Sequence, residues 1–234
     1  MCASAATRPR PHTRRANALA AREVVIGPLG LAGTLHLPAS ANALVVFAHG
    51  SGSSRFSSRN MAVANALNAQ GIATLLFDLL TPDEEQERTN VFDIALLAER
   101  LIEVVHWVDT QGELAHLPLG LFGASTGAAA ALVAAAQLGS RVGAVVSRGG
   151  RPDLANAALD DVTAPTLLIV GGLDYGVIEL NEQAFAQLKA QKALEIVPDA
   201  THLFPEPGTL NIVIEHAARW FKTHLGSHVP VNAR

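Results

Sequence analysis

Continuous apolar runs of strand length recur along the chain: ALVVFAH (43–49), IATLLFD (72–78), LGLFG (119–123), VGAVVS (142–147), APTLLIVGG (164–172) and ALEIVP (193–198). Runs that do not alternate with polar residues mark strands buried on both faces. Segments 60–70, 92–110, 127–138, 179–190 and 210–225 carry apolar residues at helical spacing, and Gly71, Gly139 and Gly226 follow three of them as left-handed helix stops. Upstream, VVIGPLGLAGTLHLP (24–38) reads as two short strands around a Pro-Gly turn at a sheet edge. Strand and helix in alternation predict an α/β fold, a mostly parallel twisted sheet of about eight strands with helices on both faces.

No repeat, low-complexity linker or break in composition interrupts this pattern after residue 22, so one domain is expected over 22–226, followed by a short tail, 227–234. A chain of 234 residues can bury a single core, enclosing about 70% of the surface exposed by its unfolded form. The first 22 residues hold five arginines and no acid, which suits an organelle transit peptide. Pro9 and Pro11 spoil an amphipathic helix there, and residues 1–21 are read as a disordered Arg-rich tail. Residues 117–140 carry no charge, but Gly120, Gly123 and Gly127 punctuate them, so two soluble elements joined by a turn are expected rather than a membrane span. With one cysteine, Cys2, and no apolar leader near the N-terminus, a reducing, cytoplasmic setting is expected. Net charge −4 offers no general attraction to nucleic acid or anionic lipid.

In open parallel sheets ligands sit beyond the carboxyl ends of the strands. The loop after LGLF is GASTG, a Gly-x-Ser-x-Gly between a buried strand and a helix, where glycines flank a turn too tight for side chains and Ser125 is pushed into solvent. A neutral serine needs a base, usually histidine, itself held by a carboxylate. Asp174 follows the strand TLLIVGG and His202 follows LEIVP, giving the chain order Ser, Asp, His. Each has a blander reading: Asp174 as the cap of the next helix, His202 as a surface histidine, and Asp199 as a rival acid. The loop HGSGSSR (49–55) is positioned to supply an oxyanion-binding N–H. The expected backbone donors are Thr126 and Ser51, with Gly52 as the fallback for the second, while His49 is expected to fix loop geometry. The same loop fails as a dinucleotide motif at its last glycine, where Arg55 stands, and neither a phosphate-binding Gly-Lys-Ser/Thr nor a His-Glu-x-x-His is present.

Together these residues resemble the alpha/beta hydrolase superfamily from about Arg22 to Leu225. FAHGSGSSRFSSRN, FDLLTPDEE, FGASTGAAAALVAAA, VVSRGGRPDL and ATHLF are similar to the dienelactone hydrolase-like group, including hydrolase domains fused to phosphoribosyltransferases, a fusion not expected here. Authentic dienelactone hydrolases carry cysteine where this chain has Ser125, so an ester, lactone or thioester is the expected substrate. The resemblance implies His202 as base, Asp174 as its orienting partner, an acyl-enzyme on Ser125, and neither metal nor organic cofactor. Only the segment from Arg148 to Ala164 separates two strands where larger members insert a cap, so a minimal cap or none is expected. Arg55, Arg148 and Arg151 are candidates for holding a substrate carboxylate or phosphate, or else pair with acids such as Asp153 or Glu85. Tyr175 and Phe204 are candidate pocket walls. A catalytically silent ligand-binding protein of the same fold is the alternative. A serine peptidase is disfavoured because the chain has no propeller or large cap to sieve peptides. The expected partner is a small-molecule substrate, with a homodimer as a further possibility.

Overall fold

The computed structural model describes residues 21–226, so nearly all of the expected N-terminal tail (1–21) and the whole of the C-terminal tail (227–234) lie outside the described residues. One eight-stranded sheet forms, with strands in the order β1-β2-β4-β3-β5-β6-β7-β8. Strands β1 (Arg22–Ile26) and β2 (Leu31–His36) are the expected hairpin. The parallel part comprises β3 (Ala43–Ala48), β4 (Ile72–Phe77), β5 (Leu119–Ala124), β6 (Val142–Arg148), β7 (Thr166–Gly171) and β8 (Lys192–Val197). Every residue of β3, β4, β5 and β7 is buried, as continuous apolar runs require.

The last run departs from that expectation. Strand β8 pairs only with β7, and Lys192, Ala193, Leu194 and Glu195 are half-buried while Ile196 is exposed. Its position at the sheet edge, which an apolar run does not encode, is the physical reason.

Helices α1 (Ser58–Asn68) and α6 (Thr209–Leu225) cover one face, over a core built from Val45, Phe47, Phe122, Val146, Ile169, Val213 and Phe221. Helices α3 (Ile94–Thr110), α4 (Thr126–Leu138) and α5 (Tyr175–Gln187) cover the other, over Leu44, Val46, Leu75, Leu121 and Leu168. Helix α4 is enclosed by α3, by the sheet and by the 3-10 segment Pro152–Asp161, and its Ala128–Leu132 are fully buried. Small side chains let it lie that close, which accounts for the charge-free alanine tract. No helix among the described residues is long and apolar enough to cross a membrane.

Three smaller differences concern helix ends. The sequence pattern misses α2 (Pro82–Gln86), although its signal is present: Thr81 and Glu84 form a reciprocal capping box around Pro82. Helix α5 begins at Tyr175, directly after Asp174, rather than near residue 179. Gly71 and Gly139 have positive φ (79° and 53°), but Gly226 has φ −59° and ψ 137° and leaves α6 in an extended conformation.

Phe221 is buried beneath β5 and closes over Gly120, where a Cβ would stand 2.7 Å from its ring. Phe221→Ala should cost about 3–5 kcal/mol in chemical denaturation. Val25→Ala, on a side chain 73% exposed, should stay within about 0.5 kcal/mol of wild type. Equal effects at the two sites would contradict the assignment of the core.

Candidate functional site

Ser125 stands between the last residue of β5 and the first turn of α4, with φ 50° and ψ −122°, a region a residue with a Cβ rarely adopts. Three backbone hydrogen bonds hold it there. Its N–H donates to Arg148 O at 3.3 Å, and its carbonyl accepts from Ala128 N at 3.1 Å and Arg151 N at 3.1 Å. The flanking glycines are demanded by packing. A Cβ at Gly123 would stand 2.7 Å from Ala128 N, and one at Gly127 would be 2.7 Å from Ala48 C and would overlap the carbonyl oxygens of Ala48 and His49. Gly50 completes the fit, its missing Cβ leaving room for the Ser125 side chain, whose Oγ lies 3.7 Å from that point.

Asp174 and His202 follow neighbouring strands, β7 and β8, and their side chains meet: Asp174 Oδ2 lies 2.7 Å from His202 Nδ1. Although Asp174 occupies the position before α5, its carboxylate makes no capping bond to that helix. Its bond to Nδ1 leaves Nε2 as the imidazole nitrogen free to take or give a proton. The rival acid, Asp199, is exposed and makes no hydrogen bond to His202. Gly149, just after β6, packs against His202: a Cβ there would be 2.8 Å from His202 O and 3.7 Å from Nδ1. A residue not singled out from sequence, Glu206, fastens the histidine loop: its carboxylate accepts from Thr201 N at 3.1 Å and Thr201 Oγ1 at 2.6 Å. These bonds hold the Glu206 carboxyl below its ordinary pKa.

The loop between β3 and α1 lies on the other side of the serine. His49 Nε2 accepts the N–H of Leu79 at 3.1 Å, so Nδ1 carries the proton and donates to Gly50 O at 3.0 Å. Burial lowers its pKa, and this imidazole is a neutral fastener of the loop. Ser51 N–H donates to Thr126 Oγ1 at 3.0 Å, tying the loop to the first residue of α4. Gly52 is exposed with φ 67°. A cavity of about 300 Å³ adjoins the loop, lined by Ser51, Ser54, Leu79, Leu80, Val91 and Leu97 among others; it borders Gly50 rather than enclosing Ser125.

The five side chains considered for substrate contact divide. Arg55 pairs with Asp78 and, at 3.4 Å, with Glu23, and its guanidinium lies over Phe56. Arg151 is held by both oxygens of Asp153 at 2.8 Å. Arg148 is buried, with Asn60 as its hydrogen-bond partner. Phe204 is buried with φ 55°, a floor beneath Gly149, whereas Tyr175 is 69% exposed at the rim beside Asp174. Among the described residues there is no group of three or more His, Cys, Asp or Glu arranged to hold a metal ion.

A family model described as an alpha/beta hydrolase domain matches residues 41–217. Two strains of Mycobacterium tuberculosis carry proteins 60% identical over 203 residues, bearing the name phosphoribosyl transferase. That match takes in 87% of this chain and 46% of theirs, so the chain spans about half the length of these curated relatives. A crystal structure of dienelactone hydrolase from Anabaena variabilis is 53% identical, with TM-score 0.85, covering 88% of this chain and 97% of the other. The dienelactone hydrolase-like promiscuous phosphotriesterase P91, from metagenomic libraries, is 17% identical with TM-score 0.73, covering 90% of this chain and 100% of its own, a likeness of fold.

The half-buried, neutral His49 generates a pH prediction. Its folded pKa lies below 6.5, so between that lowered value and 6.5 the unfolded chain binds more protons and stability falls as the pH drops. Melting temperature measured from pH 7.5 to 5 should fall more steeply for wild type than for His49→Gln. Parallel curves would mean that the imidazole is not held neutral.

Proposed function

Because the chain belongs to the alpha/beta hydrolase family, in its dienelactone hydrolase-like group, we propose that it is a serine hydrolase of small-molecule carboxylic esters, lactones or thioesters. The observation that carries this reading is the 2.7 Å contact between His202 Nδ1 and Asp174 Oδ2, made across two neighbouring strand ends at the same end of the sheet as a serine held in a strained turn. Asp174 makes that contact in place of the capping bond its position offers.

In the proposed reaction His202 Nε2 takes the proton of Ser125 as Oγ attacks the substrate carbonyl. Asp174 holds the ring and stabilises the imidazolium. The tetrahedral oxyanion is received by the N–H of Thr126, at the N-terminal end of α4, and by that of Ser51. Ser51 N–H is engaged by Thr126 Oγ1 before substrate arrives, so this donor is aimed toward the serine and exchanges a hydroxyl for the oxyanion. Gly52 N–H is the alternative second donor. The intermediate collapses with breakage of the bond to the alcohol or thiol, which leaves with the proton from Nε2. Water then gives a proton to Nε2, attacks the acyl carbonyl and releases the acid, and Ser125 regains its proton. The segment between β6 and β7 packs against α4 and α5, with Ala155 and Leu159 in the core, which supports an open site that admits small esters.

Release of p-nitrophenol from acetate and butyrate esters tests the proposal. Ser125→Ala should abolish turnover, and Asp174→Asn should lower kcat by about 10⁴-fold, the scale for loss of a triad carboxylate. Full turnover by Ser125→Ala, or none by a folded wild-type protein, would contradict it, the second outcome favouring a ligand-binding role.

A further inference from the structure

The end of β6 and the loop after it, Arg148 to Arg151, meet both the serine and the histidine. Arg148 O accepts the N–H of Ser125 at 3.3 Å, Arg151 N–H donates to Ser125 O at 3.1 Å, and Gly149 packs against His202. This segment therefore holds the backbone on either side of Ser125, whose φ of 50° persists only if its surroundings impose it. Gly149 N–H is fastened to Ile169 O at 2.7 Å. Gly150, between Gly149 and Arg151, is fastened by a side chain.

That side chain is Asn181, which is fully buried on α5. Its Nδ2 donates to Val177 O, one turn back, at 2.8 Å and to Gly150 O at 3.1 Å. Both acceptors are carbonyls, so both amide hydrogens are given away and Oδ1 is left buried without a partner. A helix position that only filled space would avoid that penalty with an apolar side chain. No other donor reaches Gly150 O among the described residues. The glycine has little room to shift, since a Cβ on it would overlap Ser147 Oγ and stand 2.6 Å from Ala128 Cβ. Ser147 Oγ is also buried without a partner, against the same glycine but making no bond to the loop. Helix α5 begins directly after Asp174. One helix thus carries the partner of His202 at its start and the tether of the serine's loop about two turns on.

We propose that Asn181 is a positioning residue: by holding Gly150 O it fixes the segment that sets Ser125 and packs on His202, so that nucleophile, base and acid share one frame. Its effect on turnover rests on the serine-hydrolase reading. The test is kcat and KM for p-nitrophenyl butyrate, per mole of folded protein, with melting temperature measured alongside. Asn181→Leu keeps the volume and Asn181→Ala does not, and neither can donate to Gly150 O. Both should lower kcat by about tenfold to a hundredfold, the scale of a misplacement of up to about 1 Å, with KM within about twofold of wild type. Asn181→Ala should melt below Asn181→Leu, so that kcat follows the lost donor rather than the lost packing. Ser147→Ala removes a polar atom beside the same glycine and should leave kcat within about twofold. An active wild type with kcat unchanged in both Asn181 variants, or with losses that track melting temperature in all three variants, would overturn the positioning role and leave the hydrolase reading intact. No turnover by a folded wild type would overturn the hydrolase reading and the positioning role with it.

Discussion

The close approach of α4 to the end of β3 is the constraint on which the site depends. Gly127 lies against the carbonyls of Ala48 and His49, and Gly123 against the backbone of Ala128, so that strand, turn and helix share space that no side chain can enter. The cost appears at Ser125, whose φ of 50° is worth on the order of 1–3 kcal/mol of strain. Three hydrogen bonds from β6, α4 and the following loop hold it in place. Because α4 is buried from Thr126 to Leu132, the strain is borne by a closely packed part of the molecule. The serine is thus presented at a fixed point, with the N-terminal end of a helix behind it.

The loops that meet this point are fastened by bonds of their own. His49 ties the β3 loop to Leu79, Arg55 and Asp78 tie it to the end of β4, Thr126 Oγ1 ties it to α4, and Glu206 ties down the histidine loop. In the proposed reaction these contacts keep Ser125, Asp174 and His202 aligned with little rearrangement as charge develops on a substrate oxygen. The charges of Arg55 and Arg151 are already paired, with Asp78 and Glu23 and with Asp153. Arg148 differs, being buried against a neutral partner.

How much of this was legible depends on what each feature rests upon. The strands and the strand-end positions of Ser125, Asp174 and His202 follow from runs of apolar residues and chain order, both properties of a linear sequence, whereas the placing of β4 between β2 and β3 is a matter of pairing. The partner of Asp174 was ambiguous from sequence, because an aspartate before a helix also caps it, and only the orientation of two side chains decides between the roles. The half-exposure of β8 was hidden for a similar reason, since edge position is a matter of pairing. The roles of Glu206, Asn60 and the Thr126 hydroxyl depend on contacts between segments far apart in the chain. Short helix α2 was readable from Thr81, Pro82 and Glu84, although its length gives no periodicity.

The most direct test of the account is a crystal structure of the protein after reaction with an alkyl phosphonate. The account predicts a single adduct on Ser125 Oγ, with the phosphonyl oxygen within about 2.7–3.1 Å of the backbone nitrogens of Thr126 and Ser51, and with the Ser51 N–H no longer given to Thr126 Oγ1. An adduct on another residue, or a phosphonyl oxygen turned toward solvent while Ser51 stays bonded to the threonine hydroxyl, would contradict it.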